Sequence, residues 1–197
     1  SRAVGLGTQW LERLQPGDTL NLTGPLGRGF RLPPHDTPVV MIGGGVGIPP
    51  LLYLARRLWE RGWQDVTAVF GATTGALLPL RLSVKPATDG APTCCVVLPA
   101  DAPFPVVVTT DDGTVGLPGR VTDGLKAWYV RRAPADRPAL VYACGPERML
   151  KAVAQLTREL GLLCQLCVER NMGCGVGTCL SCVVRRRDER RPEGWSW

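Results

Sequence analysis

Three cysteines near the carboxyl end are spaced for metal chemistry. Cys174, Cys179 and Cys182 stand in the pattern C-x4-C-x2-C, within the phrase Cys-Gly-Val-Gly-Thr-Cys-Leu-Ser-Cys. Thiolates at this spacing hold the irons of a [2Fe-2S] cluster, with the intervening backbone folded closely around the sulfides. Gly173, Gly175 and Gly177 supply the backbone freedom that such a loop needs. A competing arrangement uses Cys164, Cys167, Cys179 and Cys182 as two C-x2-C knuckles around zinc. Leu162 to Glu169 reads as a strand without a turn residue, and the odd separation of Cys164 from Cys167 sends them to opposite faces, which favours iron. The cluster needs a fourth ligand, and no cysteine follows Cys182.

A second group of residues is suited to holding a nucleotide. Gly43-Gly44-Gly45-Val46-Gly47-Ile48-Pro49-Pro50 follows an apolar run and opens a helical pattern. Glycines let backbone amides approach a pyrophosphate, and the amide-rich start of a helix favours its charge. Pro49 and Pro50 fit a first helical turn, where no amide donor is required. Pro50 interrupts the G-x-G-x-x-G fingerprint, so the turn alone serves equally well as a tight structural turn. Two further segments weigh on the nucleotide side: Thr109-Thr110-Asp111-Asp112-Gly113 and Ala143-Cys144-Gly145-Pro146-Glu147-Arg148-Met149 each end an apolar run. Taken singly, Cys144 is a small buried thiol and Asp111-Asp112-Gly113 a hairpin turn. Together, as carboxyl ends of parallel strands, the three turns line one crevice.

The elements that must position these residues alternate strand with helix, the pattern of a parallel sheet covered by helices. Strands are expected at Val39 to Ile42, Val66 to Phe70, Cys95 to Leu98, Val106 to Thr109 and Leu140 to Ala143. A helix follows at Leu51 to Arg61, with Trp59 and Trp63 covering one core face. The clearest helix is Glu147 to Leu160, where Met149, Leu150, Val153, Leu156 and Leu160 keep a 3.6 period until Gly161 stops it. Ahead of the sheet, Gly17 to Leu22 reads as turn then strand, the end of a β-structured domain that thirty residues cannot complete. Thr8 is expected to cap a helix from Gln9. Residues 31 to 38 read as a linker, with His35 a solvated loop residue.

Composition narrows the class. The chain is 45% hydrophobic, ample for a core, and the uncharged run from Thr37 to Ala55 carries too many glycines and prolines for a membrane span. The excess of positive charge sits largely in Arg185, Arg186, Arg187, Arg190 and Arg191, read as a solvated hairpin tip or a docking surface for a partner subunit. No helix-turn-helix or aromatic platform accompanies it, so no nucleic-acid partner is expected. Eight cysteines with no secretory signal in view point to a reducing, cytoplasmic setting in which thiols bind metal. Cys94 and Cys95 are expected on opposite faces of a strand as ordinary thiols.

The three crevice segments, in this order, resemble the nicotinamide domain of the ferredoxin reductase family. That resemblance implies Gly44, Gly45, Val46 and Gly47 on the pyrophosphate of NAD and Cys144, Gly145 and Pro146 near the nicotinamide, with Thr110 and Asp111 beside them. Gly71-Ala72-Thr73-Thr74 offers no arginine for a 2′-phosphate, which favours NAD over NADP. The resemblance also implies FAD, with Gly7 and Thr8 on its pyrophosphate and Arg2 close to the flavin, although the family's main flavin motif, Arg-x-Tyr-Ser or Thr, is absent here. The implied architecture is α/β: a parallel-sheet NAD-binding domain at 37–161, preceded by the C-terminal remnant of an FAD-binding β-barrel at 1–36 and followed by a [2Fe-2S] module at 162–197. In the family the fourth cluster ligand follows a short hairpin, and Arg185 to Trp197 looks like that hairpin cut short.

The cysteine phrase, with Gly-Gly-Gly-Val-Gly-Ile-Pro-Pro-Leu-Leu and Gly-Pro-Leu-Gly-Arg-Gly-Phe, is similar to the electron transfer subunits of dihydroorotate dehydrogenase B. This implies a hetero-oligomer with an FMN-containing catalytic subunit, in which electrons from dihydroorotate pass from FMN through [2Fe-2S] and FAD to NAD⁺. No residue here would then act as the substrate's base. Two alternatives remain. One is the small subunit of a ferredoxin:NAD(P) oxidoreductase, whose first cluster ligand is typically an aspartate where Cys174 stands. The other is a zinc-stabilised nucleotide-binding module without redox activity.

Overall fold

The computed structural model describes residues 3–27, 29–34, 37–96, 104–133, 140–187 and 195–196. The chain divides into two compact units. One takes in Phe30–Val168, and the other joins Arg2–Gly29 with Glu169–Trp197.

The first unit is a six-stranded sheet, all of whose pairs are parallel, in the order β4-β3-β2-β1-β5-β6. Its strands are β1 (Val39–Gly44), β2 (Val66–Ala72), β3 (Val106–Thr110), β4 (Leu117–Pro118), β5 (Leu140–Cys144) and β6 (Leu163–Cys167). The central strands are unbroken apolar runs because both faces are covered, the usual condition of parallel sheets. Val39, Met41, Phe70, Val106 and Tyr142 pack on the face of α2 (Ile48–Trp59), against Ile48, Leu51 and Leu58. Val40, Ile42, Val69, Val107 and Val141 pack on the other face, against α3 (Val121–Arg131) and α4 (Glu147–Glu159). Each such large apolar side chain contributes about 1.5–3 kcal/mol when fully buried.

Helix α3 was not legible from periodicity. Val121, Leu125 and Trp128 form its buried stripe, but Gly124 in mid-helix weakens the signal. A Cβ at Gly124 would lie 2.7 Å from Val69 Cγ1 and 2.8 Å from Thr109 Cγ2, so the glycine lets α3 lie close on the sheet. The Arg120 amide donates to the Asp123 carboxylate at 2.9 Å and fixes the helix start.

Several expectations need correction. Cys95 and Val96 are buried, but Val96 makes only an isolated bridge to Leu82, so no strand forms there among the described residues. Val97 and Leu98 of that expected strand and His35 of the linker lie outside the described residues. Helix α2 ends at Trp59, which is 41% exposed, whereas Trp63 is buried after the turn; the two therefore share no helical face. The sheet takes in β6 and extends past residue 161, where the sequence set the end of the domain.

In the second unit, α1 spans Leu6–Arg13 with Gly5 as its N-cap, so it starts three residues before Gln9. Thr8 is not the cap. Its hydroxyl accepts from the Val4 and Gly5 amides at 2.9 and 3.0 Å and donates to the Gly5 carbonyl. Asp18 to Leu22 is not a strand, because no described segment pairs with it, and a strand exists only through a ladder partner. The hairpin expected near the carboxyl end is present: β7 (Arg186–Arg187) pairs antiparallel with β8 (Trp195–Ser196).

Tyr142 ties the sheet to the segment that leads into it. Its hydroxyl donates to the Arg31 carbonyl at 2.6 Å, and Gln165, in register with it on β6, exchanges two further bonds with the Arg31 backbone at 2.9 Å. Burial pushes the Tyr142 phenol up to about 12. A phenol raised in the folded state stabilises fully below its unfolded value near 10 and loses that contribution as pH climbs through 12. Tyr142→Phe should cost about 0.5–1.5 kcal/mol near neutrality. In urea titrations the gap between the two proteins should shrink above about pH 10.

Candidate functional site

The order of strands places a topological switch point between β1 and β5, since the chain proceeds from β1 outward through β2, β3 and β4 and then crosses to β5 and β6. Ligands of open parallel sheets occupy the crevice beyond such a point. Here the register sets Gly43 beside Cys144, so the turn after β1 and the turn after β5 leave the sheet side by side.

The glycines make that arrangement possible. A Cβ on Gly47 would stand 2.2 Å from the Cys144 carbonyl oxygen and 2.6 Å from the Gly145 nitrogen, closer than any real contact. A Cβ on Gly44 would meet Met149 Sδ at 2.6 Å. Gly45, at φ +54°, turns the chain left-handed with nothing within 4 Å of its Cβ position, so the turn is open on that side. Residues Gly45–Gly47 form a 3-10 turn that leads straight into α2, with Ile48 buried beneath it. Val46 is 60% exposed. A glycine cradle with an open side at a helix start fits a pyrophosphate.

Cys144 is half-buried, and Pro146 caps α4 with Glu147 in its first turn. Thr110 ends β3 and Asp111 follows it, two strands from β1 and so about 10 Å away along the sheet. The Thr110 hydroxyl closes its own loop, donating to the Val115 carbonyl at 2.8 Å and accepting from the Val115 amide at 3.1 Å. The Asp111 amide donates to the Ala72 carbonyl. Asp112, read from the sequence only as part of a turn segment, accepts from the Thr114 hydroxyl and amide and is held below the usual carboxylate range by them. The Thr114 hydroxyl in turn accepts from the Gly75 amide at 2.9 Å, so the loops after β2 and β3 are tied together. The D-x-T spacing was the available signal.

The second unit carries the cysteine loop. The Cys174 thiol is pulled down to about 5 by hydrogen bonds from the Thr178 hydroxyl first, then from the Cys179 and Val176 amides. The Cys179 amide lies 3.5 Å from Cys174 Sγ. Cys179 is lowered chiefly by Ser181, whose Oγ is 3.1 Å from Cys179 Sγ and also accepts from the Gly173 amide at 2.9 Å. Gly175, Gly177 and Leu180 all take positive φ, bending the loop tightly. Donors aimed at sulfur favour the thiolate, the form that ligates iron.

Among the described residues no three His, Cys, Asp or Glu side chains converge as one metal group, and the loop brings Cys174 and Cys179 into hydrogen-bond contact. A [2Fe-2S] centre with four cysteines takes two per iron, and the pair fits one of these positions. The zinc knuckle is overturned for Cys164 and Cys167: they lie on opposite faces of β6, Cys164 in the core under α4 and Cys167 exposed. In α1 the amides of Leu6, Gly7 and Thr8 precede the first intrahelical donor, Gln9, whose amide bonds to the Gly5 carbonyl, and a Cβ on Gly7 would meet nothing within 4 Å, which fits an anionic group. Arg2 lies outside the described residues.

Residues 41–155 match the family described as oxidoreductase NAD-binding domain. Residues 169–194 match the iron-sulfur cluster binding domain of dihydroorotate dehydrogenase B. Among curated proteins, the dihydroorotate dehydrogenase B (NAD(+)) electron transfer subunit of Desulforamulus reducens is 36% identical, over 93% of this chain and 63% of its own length. The corresponding subunit of Geobacillus kaustophilus is 39% identical, over 92% of this chain and 62% of its own. This chain thus spans less than two thirds of the length of these relatives. Among solved structures, a chain of the NADH-dependent reduced ferredoxin-NADP oxidoreductase superposes with a TM-score of 0.69 at 28% identity, over 94% of this chain and 59% of that one.

The close approach of Gly47 to Cys144 predicts a ranking. Gly47→Ala must push backbone against backbone and should destabilise by about 1–3 kcal/mol in a thermal or urea melt. Gly44→Ala collides with the flexible end of Met149 and touches Pro146 Cδ at an ordinary 3.5 Å, and should cost less.

Proposed function

The chain belongs to the oxidoreductase NAD-binding domain family, whose match takes in more than half of it, and from that premise we propose that it is the nucleotide- and cluster-bearing part of an electron transfer subunit of dihydroorotate dehydrogenase B. One observation carries the reading: the Gly43–Cys144 register at the switch point sets the Gly44–Gly47 cradle directly against the Cys144–Gly145 backbone. The relatives' names and the cysteine-segment match support the same assignment.

In this reading Gly44, Gly45, Val46 and Gly47 hold the NAD pyrophosphate through backbone amides at the start of α2. Cys144, Gly145 and Pro146 line the nicotinamide side, and Thr110 and Asp111 shape the crevice through loop backbone rather than by side-chain contact. Cys174 and Cys179, with Cys182, hold a [2Fe-2S] cluster; the amides and hydroxyls around Cys174 and Cys179 shift both thiols toward the thiolate, Cys174 the further. Gly7 and Thr8 offer the first-turn amides of α1 to the FAD pyrophosphate. A nicotinamide exchanges hydride, a cluster single electrons and a flavin both, which is why a flavin belongs between the other two. The chain's own residues bind and position. None is assigned as a base for dihydroorotate, which would bind to an FMN-containing partner subunit in a hetero-oligomer.

In this reading the unit Phe30–Val168 serves the nucleotide, and in the other unit Arg2–Gly29 belongs with a flavin domain and Glu169–Trp197 with the cluster. A cytoplasmic setting suits thiols kept reduced for metal. Among the described residues no helix is long and apolar enough to cross a membrane. A second reading, the small subunit of a ferredoxin:NAD(P) oxidoreductase, is favoured by the structural likeness to such an enzyme.

Anaerobic reconstitution with iron and sulfide should colour the protein and give a paramagnetic signal on reduction, and Cys174→Ala should abolish both. A colourless zinc-loaded protein would refute the cluster. The full-length subunit with its catalytic partner should reduce NAD⁺ with dihydroorotate; turnover with reduced ferredoxin and none with dihydroorotate would transfer the assignment to the second reading.

A further inference from the structure

Two cysteines outside the cluster loop end neighbouring strands in the first unit. Cys144 is the last residue of β5 and Cys167 the last of β6, and the parallel register makes them direct partners. Residues in register on parallel strands project to the same face of a sheet. The packing agrees. Cys144 lies against the core on the α2 face, as does Tyr142 two residues before it, and Cys167 alternates with Cys164 and Leu166, which pack on the opposite face. Gln165, two residues before Cys167, bonds to the same Arg31 backbone as Tyr142, again on the α2 face.

Adjacent strands lie about 4.8 Å apart. That separation falls inside the Cα···Cα range of about 4.4–6.8 Å that a disulfide spans. Cys167 is exposed and Cys144 half-buried, so both can be reached from solution. The remaining thiols outside the cluster loop are not arranged in this way: Cys94 is exposed while its neighbour Cys95 is buried, and Cys164 is pushed up by burial among the core residues under α4.

We propose that Cys144 and Cys167 form a two-thiol site that low-molecular-weight disulfides oxidise to an intrachain disulfide. In the first step the Cys167 thiolate attacks one sulfur of a small disulfide such as oxidised glutathione, forming a mixed disulfide and expelling one small thiolate. In the second, the Cys144 thiolate attacks the Cys167 sulfur and expels the other small thiolate. Two protein thiols lose two protons and two electrons, and the small disulfide gains them as two thiols. The exposed thiol attacks first because access governs the bimolecular step, and its in-register partner completes the exchange at high effective concentration.

The bond would tie the turn after β5 to the edge strand β6 and draw the Cys144 sulfur sideways along the sheet. Its effect on nucleotide binding rests on the crevice proposed above, whereas its formation does not. Oxidised by this route, the chain should bind NADH more weakly, and dithiothreitol should restore the affinity.

The test uses the full chain and Cys167→Ser, each equilibrated with oxidised glutathione and mapped by non-reducing peptide mass spectrometry. A peptide joining Cys144 to Cys167 in the natural sequence, lost in Cys167→Ser together with the redox dependence of NADH affinity, is the expected result. Separate glutathione adducts on the two cysteines, or Cys167 joined to any other cysteine, would overturn the proposal. Weak NADH binding by the fully reduced natural protein would instead count against the nucleotide crevice, so the two failures are told apart by the reduced control.

Discussion

The first unit is organised around a contact between two main chains. Gly47 sits where any side chain would collide with the Cys144 carbonyl, so the turn after β1 and the turn after β5 touch backbone to backbone. That contact requires parallel β1 and β5 to be neighbours and in register, and this in turn requires the chain to cross over from β4 to the far side of β1. The switch point and the glycines are thus one constraint seen at two scales. Interiors are too densely packed to tolerate even one misplaced methyl at such a junction.

The same close-packing logic recurs away from the crevice. Gly124 lets α3 lie against Val69 and Thr109, and Gly116, at φ +72°, brings the loop before β4 against the Val108 carbonyl. In each case a residue of low helix or strand propensity stands where tertiary contact leaves no room for a Cβ. The local cost of the glycine is offset by the apolar surface that the close approach buries.

The cysteine loop follows a different principle, polarity rather than packing. Cys174 and Cys179 are exposed and Cys182 half-buried, and what distinguishes Cys174 is the set of donors turned toward it: one hydroxyl, two amides and the Cys179 thiol. The positive φ values at Gly175 and Gly177 turn the loop backbone that carries these donors. Leu180 adopts the same left-handed conformation without being glycine, at a cost of about 1–2 kcal/mol that the adjoining Cys179–Ser181 contacts must offset.

The sequence by itself determined the alternation of apolar strands with the helices α2 and α4, because burial on both faces writes continuous apolar runs and a 3.6 period into the chain. It determined the glycine turn, the Cys-Gly-Pro turn and the C-x4-C-x2-C spacing as well, since these are local chemistry. It did not reveal α3, whose stripe is interrupted by Gly124, nor the exposure of Trp59, nor the failure of Asp18 to Leu22 to pair. Only the tertiary structure decided that β6 joins the sheet and that Cys144 faces Cys167. The physical reason is that strand pairing and register are set by partners distant in sequence, and a chain read one window at a time carries no record of which strand lies beside which.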